Sequence, residues 1–194
     1  LADNVVELAK HYSDRGADEL LIFDLSDSDD DHEASLNLLR QIHNVISIPM
    51  VAGGNIKRME DVQRILYSGA KRVILNFSKP DSAEMMAKAA ERFGKEKVAV
   101  SLDDFDGLFK HQHLIEDNCS QLIFMHRLDL NSIMNVTDVP CVIITDTEEE
   151  SELFKILKCP GVRGLSGRYV SRTDIDCVAF KDKCTEEGIK MTSF

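Results

Sequence analysis

The stretch Ile48–Ser78, IPMVAGGNIKRMEDVQRILYSGAKRVILNFS, decides the fold. Its first apolar run, Ile48–Ala52, has the length and character of a buried parallel strand. Gly53-Gly54-Asn55 then reads as a tight turn, because glycine and asparagine tolerate backbone angles that other residues avoid. Met59, Val62, Ile65 and Leu66 recur at helical spacing and form one apolar stripe. Ser68-Gly69-Ala70 supplies a left-handed helix stop, and Val73–Asn76 is a second strand. Pro49 stands at a strand start, where a missing N–H does no harm. Strand, turn, helix, stop and strand make one βαβ unit.

Outward from this unit the pattern repeats. Apolar runs occur at Leu20–Asp24, Ile48–Ala52, Val73–Asn76, Val98–Leu102, Leu122–Met125, Cys141–Thr145 and Val162–Leu165, and successive runs start 19 to 28 residues apart. Helical stripes fall between them, at Val5, Leu8, Ala9 and Tyr12 and again at Leu38, Leu39, Ile42, Val45 and Ile46. Asp81 with Glu84 reads as a capping pair, and Thr173 before Asp174 as a cap for the last helix. Arg15-Gly16-Ala17 repeats the glycine stop, and Pro140 repeats the proline strand start. Seven even repeats favour a closed barrel over an open doubly wound sheet. The expected fold is α/β, a (β/α)8 TIM-barrel-like domain. The first element is a helix, Asn4–Ser13, so the barrel lacks its first strand. No Pro/Gly/Ser-rich linker interrupts the pattern. Residues 1–194 therefore read as a single barrel domain, which is compatible with one domain of a longer polypeptide.

A net charge of −11 disfavours a nucleic-acid partner, since phosphate backbones demand a basic surface. It leaves room for a small phosphorylated ligand at a local positive site. No apolar run approaches the ~18 residues of a membrane-spanning helix, and no charged-then-apolar leader opens the chain. The five cysteines form no C-x-x-C pair and have no histidine at zinc-finger spacing, so they read as reduced thiols of a cytoplasmic protein. Asp27, Asp29, Asp30 and Asp31 lack the glycine and later glutamate of a calcium loop and read as a solvated acidic turn. No metal and no cofactor is expected. His11, His43, His111, His113 and His126 have no partner at nucleophile spacing; His126 ends a strand and reads as structural. Met85, Met86 and Met125 read as core filler.

Three segments, VVELAKHYSDRGADELLIFDL, IPMVAGGNIKRMEDVQRILYSGAKRVILNFS and ERFGKEKVAVSLD, resemble the cyclase subunit of imidazole glycerol phosphate synthase, from histidine biosynthesis. The match runs from Val5 to Asp103 in order and at matching spacing; the sister isomerase of the pathway is a weaker match, and beyond Asp103 only the strand pattern remains. The resemblance implies a barrel with its site at the C-terminal ends of the strands. It implies a two-phosphate substrate, ammonia from a glutaminase partner, and two aspartates as acid and base, from strands one and five. Asp103 matches the strand-five aspartate, and the strand-one partner falls before Leu1. Asp24 matches a strand-two aspartate that faces the ligand and is a catalytic candidate beside Asp103; it reads equally as a hydrogen-bonded end-of-strand residue. Gly53, Gly54 and Asn55 match the first phosphate-binding turn, with Asn55 where the family has a third glycine; Asn76 matches an asparagine of the same site, and Phe77 replaces a small hydroxyl residue beside it. Lys57, Arg58 and Lys79 adjoin it.

The second half departs from the family. Glu148-Glu149-Glu150 stands where a glycine-rich phosphate turn would be, and Arg127-Leu128-Asp129 replaces a glycine-bearing loop. Ser166 and Gly167, beside Arg168, retain the composition of an oxyanion site. The resemblance thus implies a degenerate, non-catalytic phosphate-binding barrel. Barrels of this kind are fused in front of phosphoribosyl-AMP cyclohydrolase and phosphoribosyl-ATP pyrophosphatase, and Gly188–Phe194 resembles such a junction. The alternative is an active lyase of the cyclase type. Partners under these readings are a phosphorylated small molecule, a glutaminase subunit or a fused cyclohydrolase domain, with a homo-oligomer also open.

Overall fold

Every apolar run forms a strand in a computed structural model that describes residues 4–26, 28–79, 81–126 and 137–191. The strands are β1 (Leu20–Phe23), β2 (Met50–Gly53), β3 (Arg72–Asn76), β4 (Val98–Leu102), β5 (Gln121–Phe124), β6 (Cys141–Thr145) and β7 (Val162–Gly167). The helices are α1 (Val5–Asp14), α2 (Asp29–His43), α3 (Met59–Tyr67), α4 (Ser82–Phe93), α5 (Phe105–Asn118), α6 (Glu150–Leu157) and α7 (Cys177–Glu186). The strands pair in chain order β1-β2-β3-β4-β5-β6-β7, all parallel. This is the curled sheet of a TIM barrel lacking one strand, as the repeat implies.

Both faces of the sheet are apolar and covered. Alternate residues face opposite ways along each strand. Val51, Ile74, Ala99 and Ile123 form an inner cluster with Leu21, Phe23, Val142 and Ile144. Met50, Ala52, Val73, Leu75, Val98, Val100, Leu102, Leu122, Phe124, Cys141 and Ile143 pack outward with the helices. A polar layer lies at the N-terminal end of the strands. Glu19 Oε2 accepts from Arg72 Nη1 at 2.9 Å and Glu19 Oε1 from Gln121 Nε2 at 2.6 Å.

No ladder joins β7 to β1 among the described residues. The ends meet instead in the helical layer. His11 Nε2 lies 2.8 Å from the Thr173 carbonyl, the Tyr12 hydroxyl donates to the Ser171 carbonyl, and Lys181 Nζ donates to the Gly16 carbonyl at 2.8 Å and to Asp18. Among the described residues the outer edges of β1 and β7 carry no ladder partner, while the outer ring is bridged.

Several boundaries differ from the sequence reading. α2 stops at His43 with Asn44 as its cap, so Val45 lies outside the helix and is exposed. Asp81 makes no side-chain cap, because its backbone (φ −93°, ψ 5°) is not extended as an N-cap must be. Glu84 pairs with Lys88 instead. The last helix is capped by Asp176, whose carboxylate accepts from the Val178 and Ala179 amides at 3.0 and 3.1 Å, and not by Thr173. Gly16 and Gly69 do take left-handed angles at their helix ends, with φ of 84° and 101°. All five cysteines are free thiols, and among the described residues no helix is long and apolar enough to cross a membrane. Asp27, Arg127-Leu128-Asp129 and Thr192–Phe194 lie outside the described residues.

Candidate functional site

In a parallel sheet every strand ends on the same side, so Asp24, Gly53, Asn76, Asp103, His126, Asp146 and Ser166 all stand at the C-terminal mouth. Alternation then sorts them. Ser101 and Asn76 continue the inner register of Ala99 and Ile74, and Asp103 follows in the same register. Asp24 follows Phe23, an inner residue, and so turns outward.

The turn after β2 is the clearest anion cradle. Gly54 has φ +105° and Asn55 φ +49°. Among the described residues the N–H groups of Gly54, Asn55 and Ile56 donate to no acceptor. Backbone amides left without an acceptor are the kind of donor that phosphate oxygens can take. Glycine is obligatory here for packing as well. A Cβ at Gly53 would stand 2.3 Å from the Ile74 carbonyl oxygen, and one at Gly54 2.0 Å from that of Asp24. Asn76 Oδ1 accepts from the Ser78 amide at 2.9 Å, which leaves its Nδ2 donors as the part that could face an anion. Phe77 packs edge-on against His111, with ring centroids 5.3 Å apart.

Asp103 is exposed and accepts a hydrogen bond from the Ser78 hydroxyl. It borders a cavity of about 380 Å³ with Phe77, Ser78, Asp104, Lys110 and His111. Asp104 is committed locally: it caps α5 by accepting from the Gly107 amide at 3.2 Å. A carboxylate with a hydroxyl donor, a cation and an imidazole nearby can exchange a proton with a bound ligand.

The other side of the mouth is arranged differently. β7 runs through Gly167, two residues beyond the sequence reading, so Ser166 and Gly167 belong to the ladder with Ile144 and Thr145. The Arg168 amide donates to the Thr145 carbonyl at 3.0 Å, and its guanidinium pairs with Glu148 at 2.9 Å. Glu150 takes Lys183 at 2.7 Å and the Tyr169 hydroxyl, and the hydrogen bond from Lys183 leads in holding its carboxyl below the ordinary range. The acidic loop is therefore partly neutralised, and the cation expected to help an oxyanion is used to do it.

Asp24 does not share the Asp103 cavity. Its Oδ2 lies 2.6 Å from His32 Nδ1, and its Oδ1 accepts from the Ser26 amide at 2.9 Å and the Ser35 hydroxyl at 3.0 Å. Burial pushes this carboxyl up, but hydrogen bonds from His32, Ser26 and Ser35 outweigh it and hold it below its usual value. The resemblance placed Asp24 toward the ligand; the structure turns it to α2. His32 was missed altogether by sequence reasoning. The available signal was its position, one turn into α2 and eight residues after Asp24.

A family model described as "Histidine biosynthesis protein" matches residues 1–150, most of the chain. The chain belongs to the histidine biosynthesis protein family. Within that family it is homologous to the HisF subunit of imidazole glycerol phosphate synthase. It is 36% identical over 98 residues to that subunit of Sulfurisphaera tokodaii, covering 50% of this chain and 39% of the relative. It is 31% identical over 102 residues to the subunit of Staphylococcus aureus strain Newman, covering 53% of this chain and 40% of the relative. The chain thus matches about two fifths of the length of these curated relatives. Asp24, the Gly53–Asn55 turn, Asn76 and Asp103 are the mouth residues that this histidine biosynthesis protein draws from the segments the sequence reading identified.

Proposed function

We propose that this chain is a phosphate-binding barrel of the cyclase type that holds one phosphate and does not complete ring closure. The observation that supports it most is the asymmetry of the mouth. One loop offers three unengaged amides, at Gly54, Asn55 and Ile56, while the opposite side spends its Arg168 amide and guanidinium on Thr145 and Glu148. Asp103 is the acid–base candidate that stands free at the mouth, whereas the Asp24 carboxylate is engaged by His32, Ser26 and Ser35. In the same reading the chain is a domain of a cytoplasmic polypeptide joined to phosphoribosyl-AMP cyclohydrolase and phosphoribosyl-ATP pyrophosphatase, and its ligand is a phosphorylated small molecule. Ser166 and Gly167 are a weak second contact. Homo-oligomerisation is a further proposal, motivated by the open edges of β1 and β7.

The test is steady-state formation of imidazole glycerol phosphate with ammonia supplied directly. The expected rate is negligible, because the Arg168 cation that a second phosphate would need is already paired with Glu148. A second reading, an active lyase fed by a glutaminase subunit, is favoured by the Ser78–Asp103 hydrogen bond beside a cavity. Turnover at an ordinary enzymatic rate, abolished by Asp103→Asn, would establish that reading and overturn the first.

A further inference from the structure

His32 belongs to a second constellation, on the outer side of the sheet between α2 and α3. Its ring is 6% exposed. Nδ1 faces the Asp24 carboxylate at 2.6 Å, so the ring is oriented with Nδ1–H donating and Nε2 on the opposite edge. Nε2 is buried and has no hydrogen-bond partner among the described residues. A buried polar atom left this way is costly unless something satisfies it, and the ring lines a cavity of about 230 Å³ with Asn55, Lys57, Arg58, Asp61 and Arg64.

The cavity is shaped by charge. Asp61, on α3, is already engaged: its Oδ2 accepts from the Lys57 and Arg58 amides at 2.9 and 3.1 Å. Arg64 reaches across to Glu33 on α2, tying the two helices. Arg58 sits 3.6 Å from Asp61 with its side chain 68% exposed, so its guanidinium can swing over the opening. The titratable groups that share the cleft with His32 are thus Asp24, just after β1, Lys57 and Arg58 from the loop after β2, and Asp61 and Arg64 on α3, with Glu33 of its own helix paired to Arg64. Three cations surround an imidazole edge that lacks a partner.

We infer that this cleft is an anion site that takes a phosphomonoester against His32 Nε2, with Arg58 and Arg64 as its clamps. One proton lies between Nε2 and a phosphate oxygen. A phosphate monoanion brings it as P–OH, and Asp24 stabilises the imidazolium when it passes to the ring. Arginine suits the role because its planar fork matches phosphate oxygens. The cleft borders the mouth loop through Asn55, but the inference rests on His32, Arg58 and Arg64 and not on the Gly54–Ile56 amides or Asn76 of the proposed function.

The experiment uses the whole chain labelled with ¹⁵N at histidine, titrated with inorganic phosphate and, separately, with acetate at matched ionic strength. The His32 resonances are assigned by their loss in His32→Gln. Phosphate should move the Nε2 signal saturably from the unprotonated toward the protonated region, and acetate should not. Arg58→Met with Arg64→Met, both partly exposed and so compatible with folding, should weaken binding at least about tenfold, the worth of one charge-assisted hydrogen bond. Asn76→Ala should leave the His32 response unchanged. No movement of Nε2, an equal response to acetate, unchanged affinity in the arginine variant, or loss of the response in Asn76→Ala would each overturn the inference. The last would place the phosphate in the mouth instead, so failure here and failure of the proposed function give different results.

Discussion

Gly54→Ala should unfold this protein far more readily than its single methyl group suggests. The added Cβ would lie 2.0 Å from the Asp24 carbonyl oxygen and 2.8 Å from the Asp24 carbon and nitrogen. These are backbone atoms, held by the Asp24 amide bond to the Gly53 carbonyl at 2.7 Å, so relief requires β1 to shift against β2. Two costs add. A non-glycine residue at positive φ costs about 1–2 kcal/mol, and forced overpacking costs about 1–3 kcal/mol. The sum, about 2–5 kcal/mol, corresponds to a fall in Tm of roughly 4–20 °C at ~2–4 °C per kcal/mol for a chain of this size. Gly161→Ala is the control, because Gly161 has φ +85° but no atom within 4 Å of where its Cβ would stand. It should lose only the backbone part, about 1–2 kcal/mol. Thermal and urea unfolding followed by circular dichroism would compare the pair. Equal losses in the two variants would refute the packing argument, leaving backbone angle as the whole explanation.

Other outcomes follow from the same geometry. Asp24→Asn should cost about 2 kcal/mol at pH 7, the worth of hydrogen bonds to a charged acceptor. Because the Asp24 carboxyl is held below its usual value, its contribution is present above the ordinary aspartate range near 4 and is lost as pH falls through the lowered value. The gap between variant and parent should close toward pH 2, and a gap independent of pH in urea titrations would contradict the assignment. Glu19→Ala should destabilise by about 3 kcal/mol, since it strands Arg72 and Gln121 at the end of the sheet. Glu19→Leu with Arg72→Met should recover part of that loss in the same unfolding assay, and a purely additive double variant would argue against coupling. Burial pushes the thiols of Cys119, Cys141 and Cys184 to about 12, 11 and 11. A disulfide reagent at pH 8 should therefore label half-buried Cys159 first and these three only on unfolding, which mass spectrometry of the labelled sites would check.

The fold was legible because its signal is repeated. Seven runs such as Val98–Leu102, each four or five residues long and separated by a helical stripe, leave few architectures able to bury them all. The turn after β2 was legible for a local reason: Gly53, Gly54 and Asn55 adopt angles or approaches that their residue types announce. Caps were less legible. Asp81 has the residue type of a cap but not the extended backbone, and Asp176 has both.

By itself, the sequence determined the number and order of the strands, the helix stops at Gly16 and Gly69, and the gathering of Gly53, Asn76 and Asp103 at one end. Each is a property of short segments in a parallel array. Which way a strand-end residue points depends on a single residue of register against the neighbouring strands, and composition does not carry that information. Only the tertiary structure turned Asp24 outward to His32 while Asp103 stayed at the mouth, and only it set the Arg168 charge against Glu148. The bridging of the outer ring by His11, Tyr12 and Lys181 was likewise decided by packing, since those contacts join residues more than 150 positions apart.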